Sequence, residues 1–204
     1  MSSTRSTRIA QLREQLSINV LMLDGAMGTN IQNLDLTEED FRNADLADHP
    51  TDLFGNNDLL SLTRPDVIAD IHAEFVEAGA RLLSTNTFNS TTISQEDYDT
   101  AHLAYDLNVA GARIAREVAD ELGTEDDPVW VVGVLGPTSK TASISPDVND
   151  PARRDITFDQ LRDAYRHALE GLIEGGSDVI MIETIFDTLN ACLLYTSPSP
   201  RDRG

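Results

Sequence analysis

Two acidic residues end apolar runs: Asp24 follows Val20-Leu-Met-Leu23, and Glu183 follows Val179-Ile-Met-Ile182. Apolar neighbours take water away from such a carboxylate, which is costly unless a cation or hydrogen-bond donors meet it. No Lys or Arg stands close to Glu183 in the sequence. On one rim of a parallel sheet the pair could grip a ligand ammonium or act as an acid and a base. A helix N-cap or a salt bridge to a distant arginine would satisfy the same residues. Asp24 also opens Asp24-Gly25-Ala26-Met27-Gly28-Thr29, where two glycines allow a tight turn that offers backbone N–H groups to a ligand carboxylate. Asp-Gly is equally a common turn dipeptide. The segment has neither the lysine of a Walker phosphate loop nor the glycine spacing of a dinucleotide fingerprint.

Two polar runs could line a pocket or serve as turn and cap chemistry: Ser84 to Thr92, which contains Thr85 and Asn86, and Gly55-Asn-Asn-Asp58. Gly136-Pro-Thr138 reads as a rigid turn on the same rim. His49, His72, His102 and His167 have no H-x-x-H or H-E-x-x-H spacing and read as surface or packing residues. With Cys192 the only cysteine, neither a disulfide framework nor a zinc site can be assembled.

The elements that must position these residues follow from periodicity. Four short apolar runs, Asn19–Asp24, Arg81–Asn86, Val129–Leu135 and Asp178–Glu183, alternate with longer stretches of helical period. Nearly continuous apolarity suits parallel strands covered on both faces. One helix is expected to begin at a Thr63 cap with Pro65 in its first turn, bury Val67, Ile68, Ile71, Phe75 and Val76, and stop at Gly79. A second runs from about Glu96 to Leu122 with Leu107, Ile114, Val118 and Leu122 inward. A third starts at Thr157, where Gln160 completes a capping box, and buries Leu161, Tyr165, Leu169, Leu172 and Ile173. A short amphipathic helix spans about residues 5–17. Repeated strand–helix–strand units describe either half of a (β/α)8 barrel or a small doubly wound sheet. Long polar connections after the strands and short returns favour the barrel. The expected fold class is therefore α/β: about four βα units, the first half of an incomplete TIM barrel.

Composition limits the partners. The chain has 204 residues, with 15 Lys+Arg against 35 Asp+Glu, a net charge of −20. Such a charge repels nucleic acid and anionic membrane surfaces, so neither is expected as a partner. Lys140 is the only lysine, which fits genome composition or an acidic surface adapted to salt. With 40% hydrophobic residues the composition is that of a globular chain, without an apolar run long enough to cross a bilayer. The first 15 residues lack the apolar core of a secretory signal, so a cytoplasmic location is expected.

Taken together, six segments resemble the N-terminal homocysteine-binding domain of cobalamin-dependent methionine synthase. They are Leu23–Thr29, Gly55–Leu60, Thr85–Ile93, Gly133–Thr138, Thr141–Pro151 and Ile182–Ala191, in the family's order. Thr141-Ala-Ser-Ile-Ser-Pro-Asp-Val-Asn-Asp-Pro151 is the most diagnostic, separating the cobalamin enzyme from betaine-dependent and methylmethionine-dependent relatives. The resemblance implies a (β/α)8 barrel that holds homocysteine, with its sulfur on a zinc ion bound by three cysteines. That thiolate would attack methylcobalamin to give methionine, with methyltetrahydrofolate as ultimate donor. It further implies that Asp24 and Glu183 receive the homocysteine amino group, and that Gly25 and the Thr85-Asn86 region lie where its carboxylate is held. The family's zinc cysteines belong to the second half of the barrel and are absent here. The folate, cobalamin and reactivation domains are absent too. Ser84 stands where the family pattern leads one to expect an acidic residue.

After Ala191 the sequence departs from the expected helix and ends in Ser197-Pro-Ser-Pro-Arg-Asp-Arg-Gly204. Residues 1–191 are therefore expected to form the half-barrel, and 192–204 a tail that is foreign to the fold or disordered. Such a fragment is expected to bind neither zinc nor cobalamin and to transfer no methyl group. It would need the missing half of the barrel as its partner. The competing readings are another zinc-dependent homocysteine S-methyltransferase and a complete, non-catalytic α/β ligand-binding module.

Overall fold

Trp130-Val-Val-Gly-Val-Leu135 is apolar throughout, and as strand β2 (Trp130–Leu135) it is buried at every position. The computed structural model describes residues 4–196. Within them β1 (Leu82–Ser84), β2 and β3 (Val179–Ile182) form one parallel sheet in chain order. Leu82 stands opposite Trp130, and Val132 opposite Val179. Burial at every position holds only for the central strand, because β3 has a partner on one side alone and β1 gains only a single bridge on its outer side.

The first apolar run joins this sheet less fully than its composition suggests. It contributes a single parallel bridge from Leu23 to Leu82, with the Arg81 and Leu82 N–H groups donating to the Met22 carbonyl. Val20 is 91% and Met22 62% exposed. An edge segment with one partner has half the ladder bonds of a central strand and no second face to bury.

Each return crosses the sheet through a helix. Helix α1 (Arg5–Ile18) comes first and α2 (Met27–Gln32) follows the bridge. Next come α3 (Leu60–Thr63) and α4 (Pro65–Glu77), the latter leading into β1. Then α5 (Ala104–Leu122) precedes β2, and α6 (Phe158–Gly175) precedes β3. The long connection after Asp24 is thus not mere loop: it folds α2, α3 and three short 3-10 turns over Phe41, Leu53, Leu59 and Leu60, all buried.

Several helix boundaries differ from expectation. Thr63 does not cap α4; it is the last residue of α3 and its hydroxyl donates to the Leu59 carbonyl, so the cap position falls to Arg64. The expected helix over 96–122 is broken at Asp99, whose φ of 57° is left-handed, and only Ala104–Leu122 is α-helical. Leu122 at its end is partly exposed rather than inward. The Thr157 and Gln160 capping box forms as the spacing predicts, with the Gln160 N–H donating to Thr157 Oγ1 at 3.2 Å. Helix α7 (Thr188–Thr196) does not stop at Ala191. Leu193 and Leu194 are buried and pack with Leu161, Tyr165 and Leu172 of α6, so apolar burial carries the helix to the residues just before Pro198. The Ser-Pro-Ser-Pro segment lies outside the described residues.

The amino-terminal ends of the strands are closed by α1. Trp130 Nε1 donates to the Arg8 carbonyl at 2.9 Å. The Asp178 carboxylate, wholly buried, accepts from Arg8 Nε at 2.5 Å, Arg116 at 2.9 Å and the Val131 N–H at 3.0 Å.

Candidate functional site

The opposite, carboxyl-terminal ends of the strands carry Asp24 and Glu183. Asp24 directly follows the bridging Leu23, and its N–H donates to the Leu82 carbonyl at 3.0 Å. Glu183 directly follows β3, and its N–H donates to the Leu135 carbonyl at 3.1 Å. The sheet ladder therefore sets both carboxylates on the same rim.

Their surroundings differ. Asp24 Oδ1 accepts from the Ser84 N–H at 2.8 Å and from the Ser84 hydroxyl at 2.6 Å. Its Oδ2 lies 3.5 Å from Nδ1 of His72, and the side chain is only 2% exposed. Both donors to the Asp24 carboxylate thus come from Ser84 of β1, sixty residues along the chain, while His72 of α4 approaches Oδ2 without a hydrogen bond. Glu183 has no hydrogen bond or ion pair to its carboxyl group among the described residues. Burial raises the Glu183 carboxyl above its ordinary range, and the negative charge of Asp24 adds to the rise. The two acids thus feel each other. The contrast within one strand is informative: Asp178, at its start, is neutralised by two arginines, whereas Glu183, at its end, is left bare. A half-buried carboxylate without a counter-charge is chemically able to hold an external cation.

The turn after Asp24 is made differently from expectation. The left-handed residue is Ala26, at φ 51°, not Gly25. Gly25 is exposed, with open space where a side chain would stand. Thr184, next to Glu183, is left-handed as well, at φ 58°. A β-branched residue there costs of order 1–3 kcal/mol, and such strain concentrates where a backbone must be aimed.

Thr85 and Asn86 are buried and engaged. The Thr85 hydroxyl accepts from the Val134 N–H at 2.9 Å, extending the β1–β2 ladder by a side chain. Asn86 Nδ2 donates to the Asn57 carbonyl at 2.8 Å and to Ser61 Oγ at 3.2 Å. The second polar run meets the first in the same way. Asp58 accepts from the Asn89 N–H at 2.7 Å and the Ser90 hydroxyl at 2.6 Å. Asn56 and Gln95 exchange amide hydrogen bonds. Burial pushes the Asp58 carboxyl up to about 6 despite these two bonds. Asn86, Ser90 and Asp58 therefore hold the two polar runs to one another.

A second knot ties the loop over 141–151 to α7. Asp187 accepts from the Ser143 N–H at 2.9 Å, the Ser143 hydroxyl at 2.8 Å and the Leu189 N–H at 2.8 Å. Asn190 Oδ1 accepts from the Ala142 N–H at 3.0 Å. Burial raises the Asp187 carboxyl, but these donors outweigh it and hold the group below its ordinary range. Sequence reasoning singled out neither residue, nor Ser84 and His72 as partners of Asp24. An Asp just before a helical stretch was the available signal for Asp187. Nothing local announces the other contacts.

Among the described residues no three His, Cys, Asp or Glu side chains stand together as a metal site. Cys192 lies on the exposed side of α7. The described residues do not fit a zinc ion.

The sequence matches the homocysteine S-methyltransferase family over residues 21–198. The chain belongs to that family. Among solved structures it is similar to the homocysteine methyltransferase MmuM from Escherichia coli. The metallated and oxidised forms of that protein each give a TM-score of 0.67 at 19% identity over 91% of this chain. Its apo form gives 0.61 at 18% identity. That likeness shows a shared fold. The chain spans about 60% of the length of MmuM.

Proposed function

We propose that this chain is the first half of a (β/α)8 barrel, the homocysteine-binding domain of a cobalamin-dependent methionine synthase, and that its role is to seat the amino-acid end of homocysteine. The observation that carries this reading is the bare Glu183 carboxyl beside the charge of Asp24 at the strand ends. An ammonium group between them would relieve the repulsion and supply the missing counter-charge. The exposed Gly25 turn and the Thr85-Asn86 corner stand on the same rim, where backbone N–H groups could meet the ligand carboxylate. The choice of the cobalamin enzyme over other homocysteine methyltransferases rests on Thr141–Pro151. Its anchoring to α7 by Asp187 and Asn190 gives that stretch a fixed place on this rim.

In the whole enzyme the resemblance implies a zinc-bound homocysteine thiolate as nucleophile and methylcobalamin as donor. The zinc cysteines are expected in the second half of the barrel, and the folate, cobalamin and reactivation domains are its further partners. The present chain by itself is expected to bind the amino-acid end weakly and to transfer no methyl group. A cytoplasmic setting suits a reduced thiol substrate.

The test is a comparison of two ligands under reducing conditions, read by amide chemical shifts. L-homocysteine is expected to move the signals around Asp24 and Glu183, while 4-mercaptobutanoate, which lacks the ammonium group, leaves them in place. Glu183→Gln should abolish the first response. Equal responses to both ligands, or none to either, would overturn the proposal.

A further inference from the structure

His72 is the one histidine whose surroundings packing alone does not explain. It lies on the inner face of α4 between the buried Ile68 and Val76, one turn to either side, and is itself fully buried, yet neither ring nitrogen has a hydrogen-bond partner. A leucine would fill such a place without stranding two polar atoms. The nearest acceptor is Asp24 Oδ2, 3.5 Å from Nδ1. The other oxygen, Oδ1, is already held by the Ser84 N–H and hydroxyl. The Asp24 carboxylate is thus fixed on one side and free to swing on the other, and the side left free faces a donor on a rigid helix.

We propose that His72 is the positioning residue of Asp24, its Nδ1–H closing onto Oδ2 and setting the carboxylate plane that receives the substrate ammonium. This rests on the reading of Asp24 as an ammonium acceptor. The Nδ1–H tautomer places a proton between the two side chains and leaves Nε2 as an acceptor in apolar surroundings, which costs less than burying a second N–H there. Catalytic and binding contacts of this kind are often long before ligand arrives and shorten when it docks. A donor carried on a helix holds its acceptor more exactly than one on a loop.

Three substitutions separate positioning from packing. His72→Leu keeps the volume and removes both nitrogens, His72→Asn keeps a donor near Nδ1, and His72→Gln moves it toward Nε2. The first readout is the dissociation constant for L-homocysteine by calorimetry. A loss of about tenfold is expected for Leu and Gln, with Asn within about threefold of the parent. The second is the carboxyl carbon signal of Asp24, expected to shift in Leu and Gln and to return in Asn. A purely structural histidine would lower thermal stability in all three while leaving that signal in place, and this result overturns the proposal. Should the parent chain bind no homocysteine, the proposed function fails, and the carboxyl signal still decides whether His72 holds Asp24. Should the Leu variant not fold, the Asn and Gln pair carries the same comparison.

Discussion

Replacing Asp187 by alanine removes the tie between α7 and the loop over 141–151. Its carboxylate caps the helix through the Leu189 N–H and takes two further bonds from Ser143. Loss of an N-cap costs about 1 kcal/mol. Each hydrogen bond to a charged group is worth ~1.5–3 kcal/mol when water cannot replace it. Ser143 is exposed, so water recovers part of that, and the expected loss is about 2–3 kcal/mol in all. With a urea slope of about 2 kcal/mol/M the unfolding midpoint falls by roughly 1–1.5 M. The pH dependence has a definite sign. The Asp187 carboxyl is held below its unfolded value near 3.8, so its contribution is complete above that pH and disappears as the solution is acidified through the folded value. Parent and variant should therefore converge in acid. Urea titrations at pH 7 and pH 3 provide the measurement, with amide exchange over 141–151 as the local readout. An alanine variant within about 0.5 kcal/mol of the parent at pH 7 would refute the reasoning.

Other perturbations give outcomes of different sign and size. The buried Asp58 keeps its proton to about pH 6 in the folded chain and loses it near 3.8 when unfolded, so stability falls as pH rises between those values. Asp58→Asn keeps an acceptor for Ser90 and Asn89, and is expected to flatten that dependence and stabilise the chain at pH 7 by up to about 3 kcal/mol, read from urea midpoints at pH 4 and 7. A side chain at Gly136 would place its Cβ 2.2 Å from the Phe88 carbonyl oxygen, so Gly136→Ala should cost at least about 3 kcal/mol or yield insoluble protein, and an unaltered melting temperature would contradict the packing. Thr157→Ala opens the capping box of α6 and should cost about 1 kcal/mol, checked by thermal unfolding.

Features set by local chemistry are legible in the sequence alone. The Thr157 cap, the apolar run of β2 and the Gly79 stop of α4 depend on residues a few positions apart, and they form where spacing places them. Gly79 has the left-handed φ of 106° that a helix end favours. Asp99 was illegible as a helix break, because an aspartate can occupy either backbone region and tertiary packing decides. Thr63 misled for a related reason: it belongs to a preceding helical turn that its short apolar neighbours did not advertise. At the site, residue types pointed to Asp24 and Glu183, since an acid closing an apolar run is unusual on its own. What separates them, Ser84 and the nearby His72 for Asp24 and no partner for Glu183 among the described residues, are contacts from distant strands and helices that no spacing encodes.

The proposed ammonium seat requires two acids coupled electrically across the rim, and a carboxyl-carbon titration of Glu183 measures that coupling most directly. In the parent chain its midpoint is expected above the ordinary 4.5, and in Asp24→Asn it should fall toward that value as the like charge is removed. An ordinary midpoint in the parent, or one that does not move when Asp24 loses its charge, would contradict the shared ammonium seat.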